Sequence, residues 1–222
     1  MILIIESSAN FPSVAICDAV GELLFFRIEN IPQSHSEKLP VLVKNALIWL
    51  KDNDKELSAV AVNSGPGSYT GLRIGVSLAK GICYAKQIPL LAIDGLKAMA
   101  LDVLKLNPQI DVVYSMLDAR REEVFLKRIN RIGVQSEIQA VILIEHLYAE
   151  NWESVAFVGN SNEKAQRILN VKTALNVDGP YANQFVDVAS ELYQNQKFEN
   201  VAYFEPFYLK DFVPGISKKF AV

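Results

Sequence analysis

The stretch Asn63-Ser64-Gly65-Pro66-Gly67-Ser68-Tyr69-Thr70-Gly71-Leu72-Arg73-Ile74-Gly75 sets glycine, proline and hydroxyl side chains between two apolar segments. Leu57 to Val62 precedes it, and an apolar run to about Lys86 follows. A glycine turn between a strand and a helix is where proteins cradle phosphate, because helix N-termini offer free amides and the positive end of a dipole. A P-loop also needs a lysine and a hydroxyl residue directly after its second glycine. Here Ser68-Tyr69 follows Gly67, and a G-x-G-x-x-G pattern fits no further than Gly65 and Gly67. Weak phosphate contact at Ser68 to Gly71 is one reading. The other is a tight turn shaped by Gly and Pro, with Ser68 or Thr70 capping the helix.

Two carboxylates join Ser68 as phosphate candidates. Glu6 closes the first apolar run, and Asp118 closes a similar run, Val112 to Leu117. Strand ends are where enzymes that handle phosphate and magnesium place carboxylates, although turn residues and surface ion pairs occupy the same places. The two histidines, His35 and His146, form no H-x-x-x-H or HExxH pattern, so no metal site and no catalytic residue is assigned. His35 reads as a surface residue in the first turn of a helix. Cys17 and Cys83 lie in apolar surroundings without CxxC spacing and read as reduced core thiols.

The whole chain sets the bounds. Its 222 residues are 50% hydrophobic and 21% charged, which suits a soluble globular protein with a large core. A net charge of −3 argues against a dominant nucleic-acid surface, which needs a basic footprint. The N-terminal Met1-Ile2-Leu3-Ile4-Ile5-Glu6 lacks the basic and long apolar regions of a signal peptide, and no run approaches a membrane span. The expected location is cytoplasmic, with no membrane partner.

These residues need elements to hold them. Ile2 to Ile5, Val14 to Cys17 and Glu22 to Glu29 read as strands joined by short turns. A helix follows to about Asp52, opened by a capping box at Ser34-His35-Ser36-Glu37. Strand 57–62, helix 69–86, strand 89–93 and helix 95–106 continue the pattern. The order β-β-β-α-β-α-β-α, a meander running into βαβ units, predicts a ribonuclease-H-like half. After Asn107-Pro108 the pattern partly restarts, with strands at 112–117, 123–129, 137–144, 154–158 and 173–177. Helices are expected at 162–169 and 182–196. The expected division is an N-terminal lobe, 1–106, carrying the interaction helices, and a smaller C-terminal lobe, 107–222, whose tail from about 206 packs back on the first.

The first two helices of the first lobe carry more apolar surface than one sheet requires. Over 70–86, Thr70, Arg73, Ser77, Lys80 and Tyr84 form a polar stripe, while Ile74, Leu78, Ile82, Leu72, Cys83 and Val76 span roughly 200°. Gly71, Gly75 and Ala79, spaced by four, predict a shallow groove for a second helix. In the preceding helix Val41 and Ile48 lie among Lys44, Asn45 and Asp52, opposite the stripe of Leu39, Leu42, Val43, Ala46, Leu47 and Leu50. The expected partner interface is therefore Val41, Lys44, Asn45, Ile48, Tyr69, Gly71, Arg73, Ile74, Gly75, Leu78 and Ile82.

The 65–75 motif, His35-Ser36-Glu37, Leu117-Asp118-Ala119-Arg120-Arg121-Glu122-Glu123-Val124-Phe125 and Phe204-Glu205-Pro206-Phe207-Tyr208-Leu209 together resemble the TsaB family, also called YeaZ. The resemblance covers nearly the whole chain. It implies an α/β fold of two ribonuclease-H-like halves of the actin-like ATPase superfamily. It also implies a non-catalytic partner of TsaD in threonylcarbamoyl-adenosine synthesis, beside the anticodon of tRNAs that read A-starting codons. TsaE joins the larger assembly, and tRNA is engaged indirectly. The family pairs with TsaD, or with itself as a homodimer, through helices matching 36–52 and 69–86. No cofactor is tightly bound, and ATP or ADP belongs only to the complex with TsaD. Two departures weaken independent nucleotide chemistry: Glu6-Ser7-Ser8 replaces the usual Asp-Thr-Ser, and Ser64 stands where a cation is common. The alternative is a stand-alone ATPase or phosphotransferase of the sugar-kinase type, built on Glu6 and Asp118; a peptidase lacks any nucleophile pattern here.

Overall fold

The computed structural model describes residues 1–32, 34–143, 151–169 and 174–209. His146, the strand ends expected at Ile144 and Thr173, and the tail beyond Leu209 lie outside the described residues.

The first half contains β1 (Ile2–Glu6), β2 (Ser13–Cys17), β3 (Leu23–Ile28), α1 (His35–Asp52), β4 (Ala59–Gly65), α2 (Tyr69–Lys86) and β5 (Leu90–Asp94). Its sheet runs β3-β2-β1-β4-β5, with β1 antiparallel to β2 and parallel to β4. After α3 (Gly95–Leu106), the second half contains β6 (Val112–Asp118), β7 (Glu123–Asn130), β8 (Gln139–Ile142), β9 (Val155–Val158), α4 (Asn162–Leu169) and β10 (Leu175–Val177). Its sheet runs β8-β7-β6-β9-β10, again with one antiparallel and one parallel neighbour on the first strand. Both halves therefore share the ribonuclease-H-like order, and their tandem arrangement is that of the actin-like ATPase superfamily.

The layers follow from the residue pattern. In β1, Ile2 and Ile4 face one side and Leu3 and Ile5 the other, all four buried. A strand covered on both faces reads as a continuous apolar run, which is why alternation is absent from β1 and β4. Leu3, Ile5, Val60 and Val62 meet α1 and α2 in an outer core. Ile2, Ile4, Ala59 and Ala61 join α3, α5 (Val186–Gln194) and the second sheet's Val113, Leu117, Ala156 and Val158 in one inner core. α3 is buried on several sides because a sheet lies on each flank. A third cluster, with Phe157, Tyr114 and Ala165, fills the space under α4.

Two expected helices change at their first turns. Ser34 makes no capping hydrogen bond from its side chain; its hydroxyl donates to the Ile31 carbonyl, so no capping box forms. The helix expected at 182–196 opens as a 3₁₀ turn, Ala182–Phe185, before α5. The Gln184 side chain accepts from Tyr181 N and donates to the Asp178 carbonyl, which ties that turn tightly.

The chain then returns along α2. Glu199 N donates to the Leu90 carbonyl, Lys80 Nζ donates to the carbonyls of Ala202 and Phe204, and Phe207 N donates to the Ser64 carbonyl. Val201 and Phe204 settle against the outer core, and Leu209 reaches the inner one. This strap carries no helical or strand periodicity because backbone carbonyls make its main polar contacts.

Candidate interaction face and the closed glycine turn

The glycine turn is closed by the chain itself. Gly65 sits at φ +111°, a conformation side chains resist, and a Cβ there would lie 2.6 Å from the Phe207 carbonyl oxygen. Ser68 caps α2 by accepting from Gly71 N, while Ser68 N donates to the Ser8 carbonyl at 2.7 Å. Two of the amides a phosphate would use are thus already occupied.

The carboxylate candidates are each engaged within their own half, Glu6 buried and Asp118 about half exposed. Glu6 is fully buried; Oε1 accepts from the Ser8 amide and hydroxyl, and Oε2 accepts from Asn63 Nδ2 at 2.6 Å. Asn63 Oδ1 in turn accepts from Gly65 N, so Glu6 braces the turn that launches α2. Asp118 forms an ion pair with Lys164 and accepts from Arg120 N. Between the halves lies a cleft of about 160 Å³ lined by Ala9–Phe11, Gly159–Asn160 and Asp178–Tyr181, whose one formal charge is negative. Small-molecule sites usually run from about 300 Å³ upward. Among the described residues no cluster of three His, Cys, Asp or Glu side chains is placed to hold a metal.

Burial pushes the Glu6 carboxyl up to about 7, against the hydrogen bonds from Ser8 and Asn63 that pull it down. An acid raised above its unfolded value is fully stabilising below that lower value and loses its contribution as pH rises through the folded one. Folding stability should therefore fall between about pH 5 and 7, by at most about 3 kcal/mol from this group. Asp102, raised to about 6 mainly by burial, slopes the same way. Urea midpoints at both pH values for wild type and Glu6→Gln check the assignment: the variant should lose most of the slope, and an unchanged slope would remove Glu6 as its source.

His35 is not at the surface. It is 7% exposed at the head of α1, with Nε2 unpaired among the described residues, and burial lowers its pKa.

On α2, Leu72, Val76, Ala79 and Cys83 are buried against the sheet. Gly71 and Gly75 belong to that side too. A Cβ on Gly71 would overlap the Ser7 carbonyl oxygen, and one on Gly75 would overlap Ser7 Oγ. The groove expected at Gly71, Gly75 and Ala79 is thus filled by β1 and its extension, which corrects the reading of these glycines as open to a partner. The open side holds Thr70, Arg73, Ser77, Gly81, Tyr84 and Ala85, all exposed. A Cβ added to Gly81 would meet no atom within 4 Å, so the small residues facing outward are Ser77, Gly81 and Ala85. Sequence reasoning missed them. Anchoring the buried face on Leu72, Val76, Ala79 and Cys83 alone would have placed Gly81 opposite.

Ile74, Leu78 and Ile82 are half-buried along the edge of that open side. On α1, which packs beside α2, Val41 is 50% and Ile48 45% exposed, with Lys44 and Asn45 exposed between them. The polar stripe of α2 is partly claimed by the strap: Lys80 holds its carbonyls, and Arg73 Nε donates to the Tyr208 hydroxyl at 3.3 Å. Tyr69 stacks near Tyr208, with ring centroids 4.8 Å apart. Among the described residues no helix is long and apolar enough to cross a membrane.

A family model described as TsaD, tRNA N6-adenosine threonylcarbamoyltransferase, matches residues 29–214. The tRNA threonylcarbamoyladenosine biosynthesis protein TsaB of Escherichia coli (strain K12) is 26% identical over 225 aligned positions, covering 95% of this chain and 94% of that protein. The TsaB of Buchnera aphidicola subsp. Acyrthosiphon pisum (strain APS) is 29% identical and covers 78% of this chain and 80% of its own. Among solved structures, YeaZ from Pseudomonas aeruginosa superposes with a TM-score of 0.74 at 22% identity, covering 94% of this chain and 99% of that one.

Proposed function

The chain belongs to the TsaD family, tRNA N6-adenosine threonylcarbamoyltransferase, and resembles its TsaB-named relatives over most of its length; we propose that it is a non-catalytic subunit that binds and activates TsaD in threonylcarbamoyladenosine synthesis on tRNA. The observation that carries this reading is the outward face of the α1–α2 pair. Val41 and Ile48 are exposed one heptad apart, and Ile74, Leu78 and Ile82 flank the open ground at Gly81. A helix pair that is covered on one side by its own sheet and still carries exposed and half-buried apolar residues on the other is suited to bury a second helix pair. The partner is TsaD, with TsaE added in the larger assembly and tRNA reached through the partner. Without TsaD the same face is open to a second copy of this chain. ATP or ADP is taken by the assembly rather than by this subunit alone, and the complex works in the cytoplasm.

Committed carboxylates at Glu6 and Asp118 support an adaptor over a stand-alone ATPase. Co-expression with TsaD of the same organism, followed by sizing with and without ATP, tests the reading. Wild type should elute as a complex, and Ile48→Asp combined with Ile74→Asp should elute apart from TsaD with an unchanged circular dichroism spectrum. Co-elution of that double variant at wild-type yield would defeat the proposal.

A further inference from the structure

Arg73 lies at the N-terminal end of the interaction face, exposed, yet it is held on two sides. Its guanidinium carbon sits 4.2 Å from the Tyr69 ring centroid, and its Nε donates to the Tyr208 hydroxyl of the strap. The stack fixes the plane of the group, and the Nε bond fixes its rotation about the stem. The two terminal amino groups have no partner among the described residues. Glu205 lies near enough to favour the charge but forms no ion pair with it. An arginine usually loses much rotamer freedom on binding. Here that ordering is already made in the free chain, by Tyr69 one turn earlier on α2 and by Tyr208, 135 positions further on.

We propose that Arg73 is a pre-organised anchor for a carboxylate side chain on the partner subunit, taken by its two free amino groups as a bidentate pair, with the strap's Tyr208 as the positioning residue. The inference rests on the helix-pair reading above and adds its chemistry: the partner must present an aspartate or glutamate opposite the first turns of α2. A planar fork on a rigid mount selects a carboxylate over a neutral amide, because only the carboxylate meets both donors with charge. It also gives a role to the tyrosine that a strap without helical or strand pattern sets against this helix.

The test measures affinity for co-expressed, purified TsaD by calorimetry at low and physiological salt. Arg73→Gln should weaken binding about tenfold or more, as buried interface arginines do, and should abolish much of the salt dependence. Arg73→Lys should recover little, since an ammonium cannot make the forked pair. Tyr208→Ala should weaken binding severalfold with Arg73 intact, and Tyr208→Phe should fall between. Arg73 variants should melt near wild type. Wild-type affinity for Arg73→Gln, or full recovery by Arg73→Lys, would overturn the anchor. If Gly81→Leu abolishes pairing while Arg73→Gln does not, the helix-pair reading stands and the anchor alone is wrong. If neither matters and Ile48→Asp combined with Ile74→Asp still co-elutes with TsaD, both fall.

Discussion

Replacing Gly81 by leucine is expected to stabilise the isolated chain and to destroy the proposed pairing with TsaD. Gly81 lies inside α2, where any ordinary residue lowers the cost of helix formation by about 0.5–1 kcal/mol relative to glycine. Nothing within 4 Å would meet the added Cβ, so no internal clash offsets that gain. For a chain of this size the melting midpoint should rise by about 2–3 °C. On the open face the same side chain fills the ground between Ser77 and Ala85, where a partner helix would cross most closely. Overpacking there pushes the two helix pairs apart, and the affinity should fall beyond detection. A leucine variant that melts higher and still co-elutes with TsaD would show that the partner does not cross at Gly81.

Gly71 and Gly75 sit on the same helix and should behave in the opposite sense. Gly71→Ala gains the same helix propensity but drives Cβ into a backbone oxygen of Ser7, which cannot rotate away. A net loss on the order of 3 kcal/mol is expected, typical of overpacking a dense core. Gly75→Ala meets the Ser7 hydroxyl first, which can turn, so its cost should be smaller. Opposite signs of stability change within one helix identify its two faces without any structure of a complex.

These three glycines also mark how far the sequence could be read. The tandem halves were legible because strand and helix periods are local properties: runs such as Ile2–Ile5 and the 3.6-residue pattern of α1 declare themselves within a few residues. The boundaries of α3 were equally plain, since Asp94 stands ready to cap its start and Asn107-Pro108 follows its end. Which side of α2 faces inward was not legible, because small and large apolar residues share a wide arc and only tertiary contact with Ser7 separates them. His35 was misread for the same reason, as its burial depends on the chain after β1 and not on its own helix. The strap's course along α2 was not legible, beyond the expectation that a tail from about 206 packs back on the first lobe. Its grip comes from Lys80 reaching backbone carbonyls, and a carbonyl leaves no mark in a sequence.

One further long-range contact joins the two halves, and its removal should cost more than any surface change. Asp94 ends the first sheet and caps α3 through Lys97 N, while its other oxygen pairs at 2.6 Å with Lys127 on β7 of the second sheet. The lysine side chain is only 10% exposed and the aspartate 29%, so water screens the pair weakly. Asp94→Ala strips the cap and leaves a buried ammonium without a counter-charge. The expected loss is about 4 kcal/mol, roughly 1 from the cap and the rest from the orphaned charge. Lys127→Met should cost less, about 1–2 kcal/mol, because Asp94 can still reach water and keeps its bond to Lys97 N. The double variant decides the cause. If the large single effect comes from an unpaired buried charge, methionine at 127 removes that charge, and Asp94→Ala with Lys127→Met should be more stable than Asp94→Ala alone. Simple addition of the two losses, within about 0.5 kcal/mol, would instead mean that the residues act separately. Because α3, α5 and both sheets share one inner core, each of these variants should still melt in a single transition, with both halves lost together.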